Sequence, residues 1–125
     1  MGAGERGMLS AMEPVRLDLI PQSNGDTQLN VLRLDGKLVL ETVHNFITTM
    51  RGDASERLVL DMSGVSFLDS AGVGALVQLF VHRKALGKVF ALAALNGQAT
   101  AVMQVSGLTK LLPIYASVDE ARSAA

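Results

Sequence analysis

Cysteine is absent from this 125-residue chain. Its absence excludes disulfides, thiolate metal sites and cysteine nucleophiles, and it fits a reducing compartment. Histidine is nearly absent: His44 and His82 alone occur, too few for a histidine metal cluster. With no Trp, one Tyr and four Phe, the chain has no platform for stacking nucleic-acid bases. Neither sign of charge dominates. Lys plus Arg number 11 and Asp plus Glu 12, a formal net charge of −1, so the basic footprint of a dedicated nucleic-acid binder is missing. No apolar run approaches the roughly 18 residues that a membrane-spanning helix needs. The opening MGAGERGMLSAME has no apolar core of signal-peptide length, and Arg6 stands where a myristoylation signal requires Ser or Thr. These absences lead us to expect a soluble cytoplasmic protein with no direct nucleic-acid binding, no membrane insertion, no metal and no cofactor of its own.

Hydrophobic residues make up 49% and charged residues 18%, which is too apolar for a mainly disordered chain and suits one compact domain. Residues 1–13 show no periodicity and read as a flexible N-terminal tail, leaving 14–125 as the domain. Val15, Leu17 and Leu19 alternate with Arg16 and Asp18, the pattern of a strand with one wet face. Ser23-Asn24-Gly25-Asp26 predicts a hairpin turn into an antiparallel strand over 28–35, closed by Gly36. Val43, Phe46, Ile47 and Met50 mark an amphipathic helix. The apolar run within 57–62 reads as a central strand covered on both faces. A second helix follows from Asp69 or Ser70, with Val73, Leu76, Val77 and Phe80 predicted inward and Gly87 as its stop. A strand is expected over 88–95, a short helix over 97–106 ended by Gly107, and an edge strand over 111–115 containing Pro113. Ser117 and Glu120 form a capping box before a terminal helix. The order ββαβαβαβα implies an α/β fold: a mixed, mainly parallel sheet flanked by helices, with an opening β-hairpin.

Enzyme motifs fail. Gly72-Val73-Gly74 begins like a dinucleotide fingerprint, but Val77 occupies the third glycine position. No phosphate loop and no G-x-S-x-G elbow occur. Ser70 and His82 fall twelve residues apart on one helix, about 18 Å at 1.5 Å per residue, beyond general-base reach. What stands out is the junction Phe67-Leu68-Asp69-Ser70-Ala71-Gly72, where a strand ends and a helix begins. Either Asp69 or Ser70 serves as the N-cap. A serine at a helix start is also exposed beside free amide hydrogens and the positive end of the helix dipole, a place that tolerates a phosphate. Phosphorylation would add about −1.5 to −2 charge there and repel a docked neutral or acidic partner without unfolding the domain. With the apolar stripe inward, the outward side carries Ala71, Ala75, Gln78, Leu79, His82 and Leu86, rather apolar for a wet face and suited to a docking partner.

The segment LVLDMSGVSFLDSAGVGALVQLFVHRKALGKVFALAALN closely resembles the STAS domain family, in particular the bacterial anti-sigma-factor antagonists. The pattern is an apolar strand, then Asp61-x-Ser63-Gly64-Val65, the apolar pair Phe67-Leu68, then Asp69-Ser70-x-Gly72-x-Gly74. The resemblance implies partner switching. The unmodified antagonist binds an anti-sigma factor that is also a Ser/Thr protein kinase, and so frees the sigma factor. The kinase uses ATP and magnesium to phosphorylate the serine matching Ser70, the complex separates, and a Ser/Thr phosphatase reverses the change. The chain itself is then a substrate and regulator of transcription, not an enzyme. The regulatory serine carries over to Ser70 and its neighbour to Asp69; from the helix surface beside them, Ala71, Gly72, Ala75, Gln78, Leu79 and His82 are expected as further partner-contacting positions. One departure concerns Gly36-Lys37-Leu38-Val39, where the family commonly shows Gly-x-[Leu/Ile]-Asp: Val39 replaces the acid. Another is Asn96-Gly97 in place of the family's Asn-Pro. The alternative reading is a STAS regulatory subunit of a transporter or other signalling complex, without phosphorylation.

Overall fold

A computed structural model of the chain describes residues 15–22 and 28–124. The expected tail (1–13) and the Ser23–Asp26 turn lie outside the described residues. Five strands form one sheet in the order β1-β2-β3-β4-β5: β1 (Leu17–Gln22), β2 (Leu29–Leu38), β3 (Arg57–Leu68), β4 (Val89–Ala93) and β5 (Ile114–Tyr115). The β1–β2 pair is antiparallel, from Leu17 opposite Gly36 to Gln22 opposite Val31, and the remaining pairs are parallel. Four α-helices occur among the described residues: α1 (Leu40–Arg51), α2 (Ser70–Ala85), α3 (Gly97–Val105) and α4 (Val118–Ala124), with a 3-10 turn at Leu108–Lys110. This is the mixed α/β architecture the sequence implies. None of these helices is long and apolar enough to cross a membrane.

Strand alternation divides the sheet's side chains between two cores. Leu32, Leu34, Leu58, Leu60, Met62 and Leu92 point to one face, beneath Phe46 and Met50 of α1, Leu76 and Leu79 of α2, and Met103 of α3. Leu29, Val31, Val59, Ala91 and Ala93 point to the other, beneath Ala121 of α4. Leu58, Val59 and Leu60 are fully buried in succession, as the continuous apolar run required.

Two strands run further than their glycines suggest. β2 passes through Gly36 to Leu38, and β3 passes through Ser63-Gly64 to Leu68. Gly36 has φ +129°, and a Cβ there would lie 2.2 Å from the Arg16 carbonyl oxygen, so this glycine lets a bulged strand continue rather than ending it. In contrast, β5 keeps only Ile114 and Tyr115 of the expected five residues, because the preceding chain coils into the 3-10 turn. It remains an edge strand, consistent with Pro113. Gly107 takes the left-handed conformation, φ +73°, beyond α3. At α4 the Ser117 Oγ accepts from Glu120 N, while the Glu120 carboxylate reaches Ala116 N instead of Ser117 N.

The far end of α2 is fixed by a buried cation. Arg83, 1% exposed, donates from Nε and Nη2 to the Val89 carbonyl at 3.0 and 2.9 Å, and from Nη2 to the Ser55 carbonyl at 2.8 Å. Its Nη1 lies 3.5 Å from Asp53 Oδ1. Asp53 also accepts from the Asn30 amide and from the Ser55 N–H and hydroxyl. Burial by itself would raise the Asp53 pKa. The hydrogen bonds from Ser55 and Asn30, helped by the Arg83 charge, outweigh that and hold the carboxyl below its ordinary value.

Removing Asp53 strands the Arg83 charge in the interior. Asp53→Ala is expected to cost about 3–5 kcal/mol in urea-induced unfolding. The native Asp53 pKa lies below the unfolded value of 3.8, so its stabilisation is complete above that pH and is lost as pH falls through the native value. Unfolding of Asp53→Asn should accordingly depend less on pH in this acid window than unfolding of the wild type.

Candidate functional site at the start of helix α2

The parallel strands β2 and β3 end together, with Leu38 opposite Leu68, and Ser70 lies just past this carboxyl end. Ligands and partners of open α/β sheets meet the chain at such an end. The connection is held from both sides. Asp69 N donates to the Leu38 carbonyl at 3.4 Å. On the other side the Gln98 amide of α3 clamps the Leu68 backbone: Leu68 N donates to Gln98 Oε1 at 3.0 Å, and Gln98 Nε2 donates to the Leu68 carbonyl at 2.9 Å. The clamp satisfies backbone groups that β4, ending at Ala93, no longer reaches. Asn96 adds a second tie. Its Nδ2 donates to the Val65 carbonyl at 2.9 Å, while its Oδ1 caps α3 by accepting from Ala99 N at 2.8 Å.

Asp69 is the N-cap of α2. Its Oδ1 accepts from Gly72 N at 2.8 Å. Its Oδ2 accepts from Leu40 N, the first residue of α1, at 3.1 Å. One carboxylate thus serves two helix starts. The need arises at position 39, where α1 has a valine N-cap and no side-chain acceptor of its own. Thr42 helps from within α1: its Oγ1 accepts from Val39 N at 3.1 Å and donates to the Lys37 carbonyl at 2.8 Å. The helix starts approach so closely that a Cβ on Gly72 would lie 2.2 Å from the Leu38 carbonyl oxygen.

With Asp69 in the capping role, the choice the sequence left open between Asp69 and Ser70 is decided. Ser70 is the first residue of α2, exposed, and relieved of capping. It opens onto a groove of about 670 Å³ that runs along α2. Val73, Val77, Val81, Gln78 and His82 line one wall, with Val102 and Leu108 opposite and Arg51 also contributing. Gln78 and His82, both expected near the serine's surface, do line this groove. Ala71 is half-buried beside Ser70. His82 shares the groove but sits twelve residues further along the helix, too far to act as a base for Ser70. Among the described residues, no group of three His, Cys, Asp or Glu side chains could hold a metal ion.

Three expected contact positions are corrected. Gly72, Ala75 and Leu79 are buried, Ala75 and Leu79 at 3% exposure each, and cannot meet a partner. The inward stripe runs through Gly72, Val73, Ala75, Leu76, Leu79 and Arg83, whereas Val77 and Phe80 are only partly buried. The helix is therefore rotated from the face its large apolar residues suggest. Gly72 brings one side of α2 against Leu38, and Arg83 on that same side turns inward to Asp53. Arginine reads as polar in a hydrophobic pattern, and its buried partner lies thirty residues away in sequence. The position that sequence reasoning missed is Leu40, 67% exposed and tied to Asp69 through its backbone. Only the valine at an N-cap position hinted that α1 borrows an acceptor.

A family model for the STAS domain matches residues 21–121. The chain belongs to the STAS domain family. Its fold is similar to that of an anti-sigma factor antagonist from Mycobacterium paratuberculosis (TM-score 0.78, 22% identity, 90% of this chain and 96% of that one). It is also similar to the anti-sigma factor antagonist SpoIIAA in its unphosphorylated form (TM-score 0.67, 23% identity, 87% and 95%). A third likeness is to the murine anion transporter Slc26a9 (TM-score 0.71, 17% identity), where 94% of this chain matches 23% of that one. The architecture thus occurs both in free-standing antagonists and within a much larger transporter.

Gly72→Ala should separate the two helix starts, since the new methyl meets a backbone oxygen that has little freedom to yield. A loss of about 1–3 kcal/mol in thermal or urea unfolding is expected. Gly74→Ala, where a Cβ meets nothing within 4 Å, should be neutral or mildly stabilising in the same assay.

Proposed function

We propose that this protein is an anti-sigma-factor antagonist that works by partner switching. In the unmodified state the α2 surface around Ser70, with Asp69, Ala71, Gln78 and His82, docks on an anti-sigma factor that is also a Ser/Thr kinase, and the sigma factor is released. The kinase transfers the γ-phosphoryl group of ATP to Ser70: the Ser70 Oγ–phosphorus bond forms, the bond to the β–γ bridging oxygen breaks, ADP leaves, and the hydroxyl proton passes to the kinase. A phosphatase restores the hydroxyl by hydrolysis. The chain acts as substrate and binding module rather than as catalyst.

The observation that carries this reading is the exposed Ser70 hydroxyl, at the head of an apolar groove and free of capping duty. Electrostatics gives it scale. A phosphoserine carries about −1.5 to −2 charge. A partner carboxylate about 6 Å away, at an effective dielectric constant of about 20, is repelled by about 3 kcal/mol per unit charge. That corresponds to about a hundredfold weaker binding.

The test is affinity capture from cell extract with and without ATP, followed by mass spectrometry of both the captured proteins and the chain. A kinase-type anti-sigma factor is expected, with modification at Ser70. Ser70→Ala should retain binding and abolish phosphorylation, whereas Ser70→Glu should weaken binding about tenfold or more. Equal binding by wild type, Ser70→Ala and Ser70→Glu would refute the switch. The likeness to a transporter-borne domain favours one other reading, a regulatory subunit of a transport assembly, which predicts capture of transporter components and no ATP-dependent modification.

A further inference from the structure

We propose that Asp69 is a positioning residue that couples Ser70 to the first turn of α1, so that charge placed on Ser70 is also read at Leu40. This inference rests on the partner-switching reading and gives that switch a second limb. The Asp69 carboxylate holds the α2 start through Gly72 N at 2.8 Å and the α1 start through Leu40 N at 3.1 Å. The two bonds differ in reach and setting: the Gly72 bond is shorter, part-buried and spans three residues, whereas the Leu40 bond is longer, exposed and spans 29. The α2 start is additionally fixed by Val73 N donating to the Asp69 carbonyl at 2.9 Å, and by the Gln98 clamp on Leu68. At the α1 start, Thr42 N and Val43 N donate to the Val39 carbonyl at 2.9 and 3.0 Å and Thr42 Oγ1 accepts from Val39 N, but none of these bonds reaches the Leu40 amide, and the valine side chain offers it no acceptor. The Leu40 amide has the Asp69 carboxylate as its partner, in an exposed setting. A carboxylate that moves therefore gives up Leu40 first.

A phosphate on Ser70 supplies the force. It stands on the residue next to Asp69, bears the same sign of charge, and competes for the amide hydrogens of the α2 start. Repulsion drives the carboxylate away from the shared position, and the longer, exposed Leu40 bond opens. Leu40 is 67% exposed, a large apolar side chain at the same pole as Ser70. In the unmodified protein Asp69 holds it in a fixed place beside the phosphorylation site. Release loosens Leu40 at the head of α1, while Thr42 still holds the turn behind it, and a partner that docks over Leu40 must then pay the entropy of ordering it again.

Amide hydrogen exchange of Leu40 tests the coupling without any partner. The full chain is produced with phosphoserine incorporated at position 70 during translation and compared with the unmodified chain by NMR. Leu40 N–H is expected to exchange about tenfold faster after phosphorylation, as for the loss of one charge-assisted hydrogen bond. The amides of β3 should be unchanged. In Asp69→Asn the Leu40 amide should already exchange fast, and phosphorylation should add nothing further. Unchanged Leu40 exchange on phosphorylation of the otherwise wild-type chain overturns the proposal, whether or not Asp69→Asn folds. So does an equal acceleration in Asp69→Asn, which would show that Asp69 is not the carrier. The partner-switching reading fails separately, through partner capture. If phosphorylation abolishes binding while Leu40 exchange stays constant, the switch works by direct repulsion alone.

Discussion

A single carboxylate shared between two helix starts organises the carboxyl end of the sheet in this molecule. Parallel strands that end side by side send their helices off from nearly the same place, and each helix begins with amide hydrogens that lack partners. The usual solution is one capping side chain per helix. Here α1 has valine at that position, and Asp69 of the β3–α2 connection meets both demands. The arrangement works only at short range, and Gly72 sets that range by letting α2 lie against the Leu38 carbonyl. Three features of sequence that look separate, a valine after a strand, an Asp-Ser pair and a glycine two residues later, belong to one packing problem.

The other end of α2 is held by different chemistry. Arg83 crosses beneath the helix to the Val89 and Ser55 carbonyls and to Asp53, and so joins α2 to β4 and to the connection between α1 and β3. The anchors at Asp69 and Arg83 lie at opposite ends of this 16-residue helix, about 21 Å apart along its axis. A helix pinned at both ends and packed along Leu76 and Leu79 presents its outer residues in fixed positions. That rigidity is what a recognition surface requires, because little ordering entropy is then lost when a partner arrives.

The architecture was legible because its signals are local. Alternation along β1, the unbroken apolar run in β3 and the glycine after α3 each report on the residues that carry them. Legibility failed where meaning depended on distant chain. Gly36 and Gly64 look like strand ends until their neighbours are known; a Cβ on Gly64 would lie 2.6 Å from the Leu34 carbonyl, so the glycine admits the adjacent strand. The outward face of α2 was misjudged for a related reason. Ala75 and Leu79 are buried because the helix turns Arg83 inward, and that turn is settled by Asp53, Ser55 and Val89. The serine itself was legible as a helix-start residue. Its freedom from capping was not, since that followed from Asp69 taking both roles.

The distribution of polar side chains narrows where a partner can dock. On the sheet face opposite α1, α2 and α3, helix α4 covers the side nearer β4 and β5. Toward β1 that face continues through Arg33 opposite Asp61, with Asp35 further along β2, and Arg33 and Asp35 are exposed. Charged residues at strand positions wet the surface and oppose dry association there. The helical side differs: Val73, Val77, Val81, Val102 and Leu108 line its groove together with Gln78, His82 and Arg51, and the exposed Ser70 stands at the end where two helix starts meet. Apolar contact supplies affinity along such a groove, and its valine and leucine side chains carry no group that could change charge. Added charge acts most strongly at a polar boundary of such an apolar surface, where a covering partner would exclude water. In this fold that boundary falls at the first turn of α2, where Ser70 is exposed.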